Sequence, residues 1–390
     1  MQKVVRHGGK ASFAEASEDL KEDLGLDLSP KQIQRITERV GREWAQARDA
    51  QIELFKQGRL PRLYRGTPGA VAAMVDGGRV LTRGAEQRPG VHDPQWKEPK
   101  YGCCLTLDTL PSSTDPRPAP PPTFVDRQHV PKLVAQVKNR TSRTSPERAV
   151  VRLRKKKRKT RRVSTLLVRT VVASMCGAET FGYILAMEAY LRNFDRAQRK
   201  AFVADGQACN WTIWDRHFRE WGFVPVLDFL HLLTYLYDAA QALGGGTEPQ
   251  WARYTRWLHL AWEGRREALW AELSAASARL GAPRKDASES DPARVVADAA
   301  RYVENNLSRM DYPRYRKLGL PVSSAPIEST VKQFNRRVKG TEKFWLHDGV
   351  EAVLQVRAAQ LSRDGRTQRL WAYPRPRYRA VGRNRAALVA

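Results

Sequence analysis

Three short apolar runs constrain this chain most: AVAAMVDG from Ala70, KAFVADG ending in Asp205-Gly206, and FVPVLDFLH carrying Asp228 and His231. Each reads as a strand with an aspartate at its carboxyl-terminal end. YGCCLTLDTL and the β-branched STLLVRTVVAS read as further strands, and AETFGYILAMEAYLRNF reads as a strongly amphipathic helix. A strand–helix–strand order of this kind predicts an α/β core. Strand ends commonly present side chains to a site, which makes Asp76 and Asp205 candidates. Asp-Gly is also a favoured turn dipeptide, and AVAAMVDGGRVLTRG reads as a hairpin whose Gly-Gly turn needs no catalytic role for Asp76.

A second feature is the stretch from Asp311, DYPRYRKLGLPVSSAPIESTVKQFNRRVKG, which delivers one carboxylate into a field of cations. Ser323 and Ser324 are N-cap candidates and Pro326 suits a first turn, so Glu328 falls in the first turn of a helix reaching about Arg337. A carboxylate there sits beside the positive end of the helix dipole. Lys332, Arg336, Arg337 and Lys339 follow at spacings that put several on one face. One acid between two basic clusters points to a hard metal ion handling phosphate; the alternative is an ordinary capped surface helix.

The balance of 68 Lys+Arg against 41 Asp+Glu leaves a net charge of +27, which is easiest to rationalise if the partner is a polyanion such as nucleic acid. A hydrophobic content of 42% with 11 Trp argues against a disordered basic tail protein. The cysteines offer no CxxC spacing, which indicates neither a structural zinc site nor a disulfide framework. The start, MQKVVRHGGKASF, lacks the apolar core of a signal peptide, and a cytoplasmic protein is expected.

Elsewhere, SFAEASEDLKEDL and KQIQRITERVGREWAQA read as two helices joined by a Gly-containing turn. Such a pair is consistent with a helix-turn-helix presenting Lys31, Gln32, Gln34 and Arg35, or with a plain packing unit. Residues 108–162 lose periodicity: a Pro-rich segment precedes RLRKKKRKTRR, whose Lys155, Lys156, Lys157, Arg158, Lys159, Arg161 and Arg162 are expected to bind phosphate without sequence preference. Residues 250–307 are helical in pattern, with an aromatic stripe that reads as a packing face.

Taken in order, MVDGGRVLTR, VADGQACNWTIWDRHF, VPVLDFLHLLTYLYDAAQAL, RMDYPRYRKLGLPVSSAPIES and KQFNRRVKG resemble the successive motifs of bacterial insertion-sequence DDE transposases of the ISKra-type group, related to the Mutator-like superfamily. The resemblance runs from about Ser12 to Trp371. It implies an RNase H-like mixed sheet flanked by helices, with an all-helical insertion before the final catalytic Glu. It further implies Asp76, Asp205 and Glu328 as the catalytic, metal-binding acids, holding two Mg2+ ions for which Mn2+ substitutes. Asp228 and His231 of DFLH would lie beside the site and position its elements. The implied partners are transposon-end and target DNA, bound by a dimer or larger assembly. The implied organisation is an N-terminal helical segment (1–65), a core in two parts (66–107 and 163–231) around a basic insertion (108–162), a helical insertion (232–310), final core helices (311–371) and a basic tail (372–390). The expected activity is DNA strand cleavage and strand transfer; a non-catalytic DNA-binding descendant and a structure-selective nuclease are the alternatives.

Overall fold

The computed structural model describes residues 1–84, 95–138, 165–340 and 343–372. Seven strands are present among them: β1 (Ala70–Gly77), β2 (Val80–Thr82), β3 (Gln95–Lys97), β4 (Lys100–Asp108), β5 (Thr165–Ser174), β6 (Arg199–Ala204) and β7 (Val224–Leu227). Five of these form a mixed sheet in the order β5-β4-β1-β6-β7. The β5/β4 and β4/β1 pairings are antiparallel, and β1/β6 and β6/β7 are parallel. The expected hairpin after Asp76 is corrected: β2 turns away to pair with β3, and the antiparallel partner of β1 is β4. The Asp-Gly-Gly turn therefore leads out of the sheet instead of folding back along it.

The helices are α1 (Gln2–Lys10), α2 (Phe13–Leu24), α3 (Pro30–Lys56), α4 (Val130–Lys138), α5 (Ala178–Leu191), α6 (Ala208–His217) and α7 (Phe229–Ala242). Then follow α8 (Thr247–Trp262), α9 (Arg266–Leu280), α10 (Pro292–Asn306), α11 (Tyr312–Lys317), α12 (Ala325–Val338), α13 (His347–Leu361) and α14 (Arg366–Ala372). None of the described helices is long and apolar enough to cross a membrane.

Alternation along β4 assigns the two faces of the sheet. Tyr101 packs against Phe334 of α12, tilted, at 4.6 Å between centroids, and the Cys103 thiol lies 3.6 Å from Thr330 of the same helix. Gly102 and Cys104 point the other way, toward Leu185 of α5. The sheet is thus sandwiched between α12 and α5. Helix α5 is buried over most of its circumference, from Phe181 through Leu191, and is not the amphipathic surface helix that its sequence suggests. The open edge of β5 is covered by α13 and the residues after it: Ser362 Oγ receives the Val171 N–H at 2.9 Å and the Arg363 N–H donates to the Arg169 carbonyl at 2.7 Å. Covering an edge in this way blocks sheet-to-sheet association.

The N-terminal helix pair forms where the sequence places it, with capping boxes at Ser12/Glu15 and Ser29/Gln32 and Gly25 in the left-handed conformation between them. A third helix, α1, precedes it. The buried stripe Ile33, Thr37, Val40, Gly41 and Trp44 fastens α3 to α1 and α13. Lys31, Gln32 and Arg35 remain exposed, whereas Gln34 donates to Glu38 at 2.7 Å.

The Pro-rich stretch proves to be pinned to the helical block. Tyr254 donates to the Phe124 carbonyl at 2.8 Å, Trp262 to the Arg117 carbonyl at 3.0 Å, and Arg316 pairs with Asp115. Helix α4, with Val130, Val134 and Val137 buried, packs on α7; its short apolar period went unread between the Pro-rich and basic stretches. The basic run from Lys155 to Arg162 lies outside the described residues.

Candidate active site

Strand register brings the three aspartates together. Met74 pairs with Val203 across β1/β6, so Asp76 and Asp205 each stand two residues further along adjacent parallel strands. Ala204 pairs with Leu227 across β6/β7, so Asp205 and Asp228 each stand one residue beyond that pair. Three neighbouring strands therefore end in aspartate at one level, on the sheet face that α12 covers. Asp76 lies within β1, where its Oδ1 accepts the Gly77 N–H at 2.8 Å. Asp205 uses Oδ1 to accept the Gln207 N–H at 3.1 Å and the Asn210 amide at 2.8 Å, which fixes it against the start of α6.

Asp228 is the hub. It is fully buried, and Oδ1 accepts the backbone N–H groups of Leu230 at 3.3 Å and Ser324 at 2.8 Å. Oδ2 accepts the backbone N–H of His231 at 3.2 Å and bonds to its ring Nδ1. One side chain thereby caps α7 and holds the loop that launches α12. A second clasp, from the Phe229 N–H to the Val322 carbonyl at 3.0 Å, fixes the same loop. These bonds bring Glu328, itself buried, beside the ends of the strands. Glu328 stands in the first turn of α12 as its sequence predicts, but Ser324 does not cap with its side chain; its hydroxyl donates to Glu328 Oε1 at 3.3 Å.

Among the described residues, Asp228, His231 and Glu328 form a group of three whose candidate ligand atoms lie within 4.8 Å of one another. Asp76 and Asp205 are not part of that tight trio, although their charges act on it. Burial would push the His231 imidazole down, but its bond to Asp228 and the negative charges of Asp228, Asp205 and Asp76 push it up to about 9. The acids around it therefore favour the protonated ring. For Asp228, burial acts to raise the carboxyl, and the bonds from His231 and Ser324 outweigh it and hold it below its ordinary value.

Two tyrosines complete the surroundings, and the sequence reading missed both. Tyr302 of α10 donates from its hydroxyl to the Asp205 carbonyl at 2.8 Å and stacks on Tyr235 of α7 at 3.9 Å. Its ring lies against Gly206, where a Cβ would fall 2.6 Å from Cε2. Tyr101 is the register partner of Asp76 and lies against Gly78, where a Cβ would again fall 2.6 Å from Cε2. The readable signal was a glycine one or two residues after the aspartate, Gly206 and Gly78: a ring pressed on the turn leaves no room for a side chain.

The cations of α12 divide. Lys332 and Arg336 are exposed and Lys339 is partly so. Arg337, expected among the DNA-binding residues, is corrected: it is 2% exposed and faces inward. Its Nε donates to the Gly8 carbonyl at 2.9 Å, and its guanidinium lies 4.5 Å from the Phe13 ring and 5.1 Å from Trp345. Helical spacing could not show that α1 and α2 cover that side of α12.

This is a mixed α/β protein whose strand ends and one helix start bear four carboxylates and a histidine. The sequence matches no known family model, and no curated protein is significantly similar to it.

Proposed function

We propose that this chain is a DDE-type DNA transposase with an RNase H-like core, cutting and joining DNA strands by metal-dependent phosphoryl transfer. The observation that carries the reading is convergence: Asp76 and Asp205 end adjacent parallel strands in register, and Asp228 draws the helix bearing Glu328 onto the same place. The strand order, with antiparallel β5-β4-β1 followed by parallel β6 and β7, supports the RNase H-like assignment, as does the helical block α7–α10 between the second acid and the last.

Asp76, Asp205 and Glu328 would hold Mg2+, or Mn2+ in its place. The donor set fits, being hard carboxylate oxygens few enough to leave room for water and phosphate. Asp228 is already engaged, because three backbone N–H groups and the His231 ring bond to its two oxygens, which suits it to clasp α12. When bound, the ions supply activation of the attacking oxygen and stabilisation of the leaving one. The protein's part is placement: Asn210 and the Gln207 N–H orient Asp205, Ser324 steadies Glu328, and His231 keeps Asp228 charged. The exposed Lys332 and Arg336, one turn apart on α12, face solvent beyond Glu328 and would bind backbone phosphates.

The test is cleavage of element-end DNA in Mg2+ by the wild type and by Asp205→Asn. The substitution keeps shape and the bond to Asn210 while removing charge. Cleavage is expected to fall by about three orders of magnitude or more with DNA affinity unchanged. Equal cleavage by the variant overturns the site; tight binding with no cleavage by the wild type leaves the non-catalytic reading.

A further inference from the structure

The tyrosine hydroxyls at the two Asp-Gly turns are not equivalent. That of Tyr302 is satisfied by the Asp205 carbonyl. The hydroxyl of Tyr101 makes no hydrogen bond to any described group, although the residue is 0% exposed. The ring is held firmly: it packs against Phe334 of the helix that carries Glu328, and its tip lies over the turn after Asp76, with the oxygen 3.3 Å from where a Gly78 Cβ would stand. A buried hydroxyl without a partner opposes folding, and phenylalanine would fill the same space without that cost. The oxygen also stands on the catalytic face of the sheet, since Tyr101 and Asp76 are directly opposed in the β1/β4 ladder and opposed residues project to the same side.

We propose that Tyr101 is a positioning residue whose hydroxyl donates a hydrogen bond to an oxygen of whatever Asp76 holds during the reaction. The acceptor is of one chemical kind, an oxygen on the ion, from either of two sources: a metal-bound water or a DNA phosphate. Burial, and then the nearby Asp76 charge, hold the phenol well above its ordinary value, so it remains a donor throughout the working pH range. The role also accounts for Gly78, whose missing side chain lets the ring reach the turn. This inference rests on the proposed metal-dependent reading, and its test separates the two.

The experiment compares wild type with Tyr101→Phe in three measurements: thermal unfolding without metal, Mn2+ affinity by calorimetry, and Mn2+ affinity with uncleavable element-end DNA bound. Without metal, the variant is expected to melt at the wild-type temperature or slightly above it. Loss of the bond is expected to weaken Mn2+ binding by about three- to tenfold. Weakening without DNA assigns the acceptor as metal-bound water; weakening only with DNA assigns it as phosphate. Unchanged Mn2+ affinity in both settings overturns the inference, as does a variant that melts well below the wild type, which would mean that the hydroxyl already has a structural partner. If the wild type itself binds no Mn2+ in either setting, the metal-dependent reading fails first.

Discussion

Arg337 is the residue whose sequence reading and structural setting differ most, and replacing it tests the difference quantitatively. Burial, followed by the like charge of Arg357, lowers its guanidinium from an ordinary value of 12.5 to about 10. At about 1.4 kcal/mol per unit, keeping that charge inside costs the fold about 3 kcal/mol at neutral pH. Against this stand a charge-assisted bond to the Gly8 carbonyl, about 1.5–3 kcal/mol, and two cation–π contacts of about 1 kcal/mol each. The terms nearly cancel, so the charge contributes little net stability and the volume of the side chain contributes much. Arg337→Met, which keeps most of the volume, is expected to fold within about 2 kcal/mol of the wild type. Arg337→Ala opens a cavity between Phe13 and Trp345 and is expected to cost about 3–5 kcal/mol. Urea unfolding followed by tryptophan fluorescence reads both. DNA titrations across salt concentrations complete the test: Lys332→Ala should lower the salt slope by about one, and Arg337→Met should leave it unchanged. The reasoning is refuted if Met costs as much as Ala, or if Arg337→Met lowers the slope as Lys332→Ala does.

Gly41 lets α3 cross α13 closely, and a Cβ there would fall 2.1 Å from the Ala352 carbonyl oxygen. Gly41→Ala is therefore expected to destabilise by about 2–4 kcal/mol despite alanine's better helix propensity of about 1 kcal/mol, as thermal melts would show. The Asp364 side chain is buried among Arg192, Arg366 and Thr170. Burial acts to raise its carboxyl, but the two guanidiniums outweigh it and hold it below its unfolded value of 3.8. Its stabilisation is thus fully present above that value and is lost as the pH falls from there through the lower folded value. Asp364→Asn should cost about 3–5 kcal/mol at pH 7 and flatten the acid limb of the stability profile, an outcome absent if the pair is merely decorative.

Much of the core was legible because it is written in local patterns. Short apolar runs ending in aspartate gave β1, β6 and β7, and Pro326 with an acid two residues later gave the start of α12. Periods and caps act over a few residues, so the chain states them directly. Other features depended on what lies across space. The period-two run after Gly78 suited a strand equally well whether it returned along β1 or left the sheet, and only the competition from β4 decided. Helical spacing placed Lys332, Arg336 and Arg337 together, but burial depends on the covering helix, and α1 hides one of the three.

The site divides in the same way. Which carboxylates end the strands, and that Glu328 opens a helix, could be read along the chain, because strand length and helix capping are local properties. Folding in three dimensions set Asp76, Asp205 and Asp228 at one level, since register belongs to pairs of strands and not to either alone. It likewise decided that Asp228 serves as the clasp for α12 and that Tyr101 and Tyr302 lie over the two glycines. Those contacts join residues dozens to about a hundred positions apart, where hydrogen bonding and close packing, and no periodicity in the chain, set the partners.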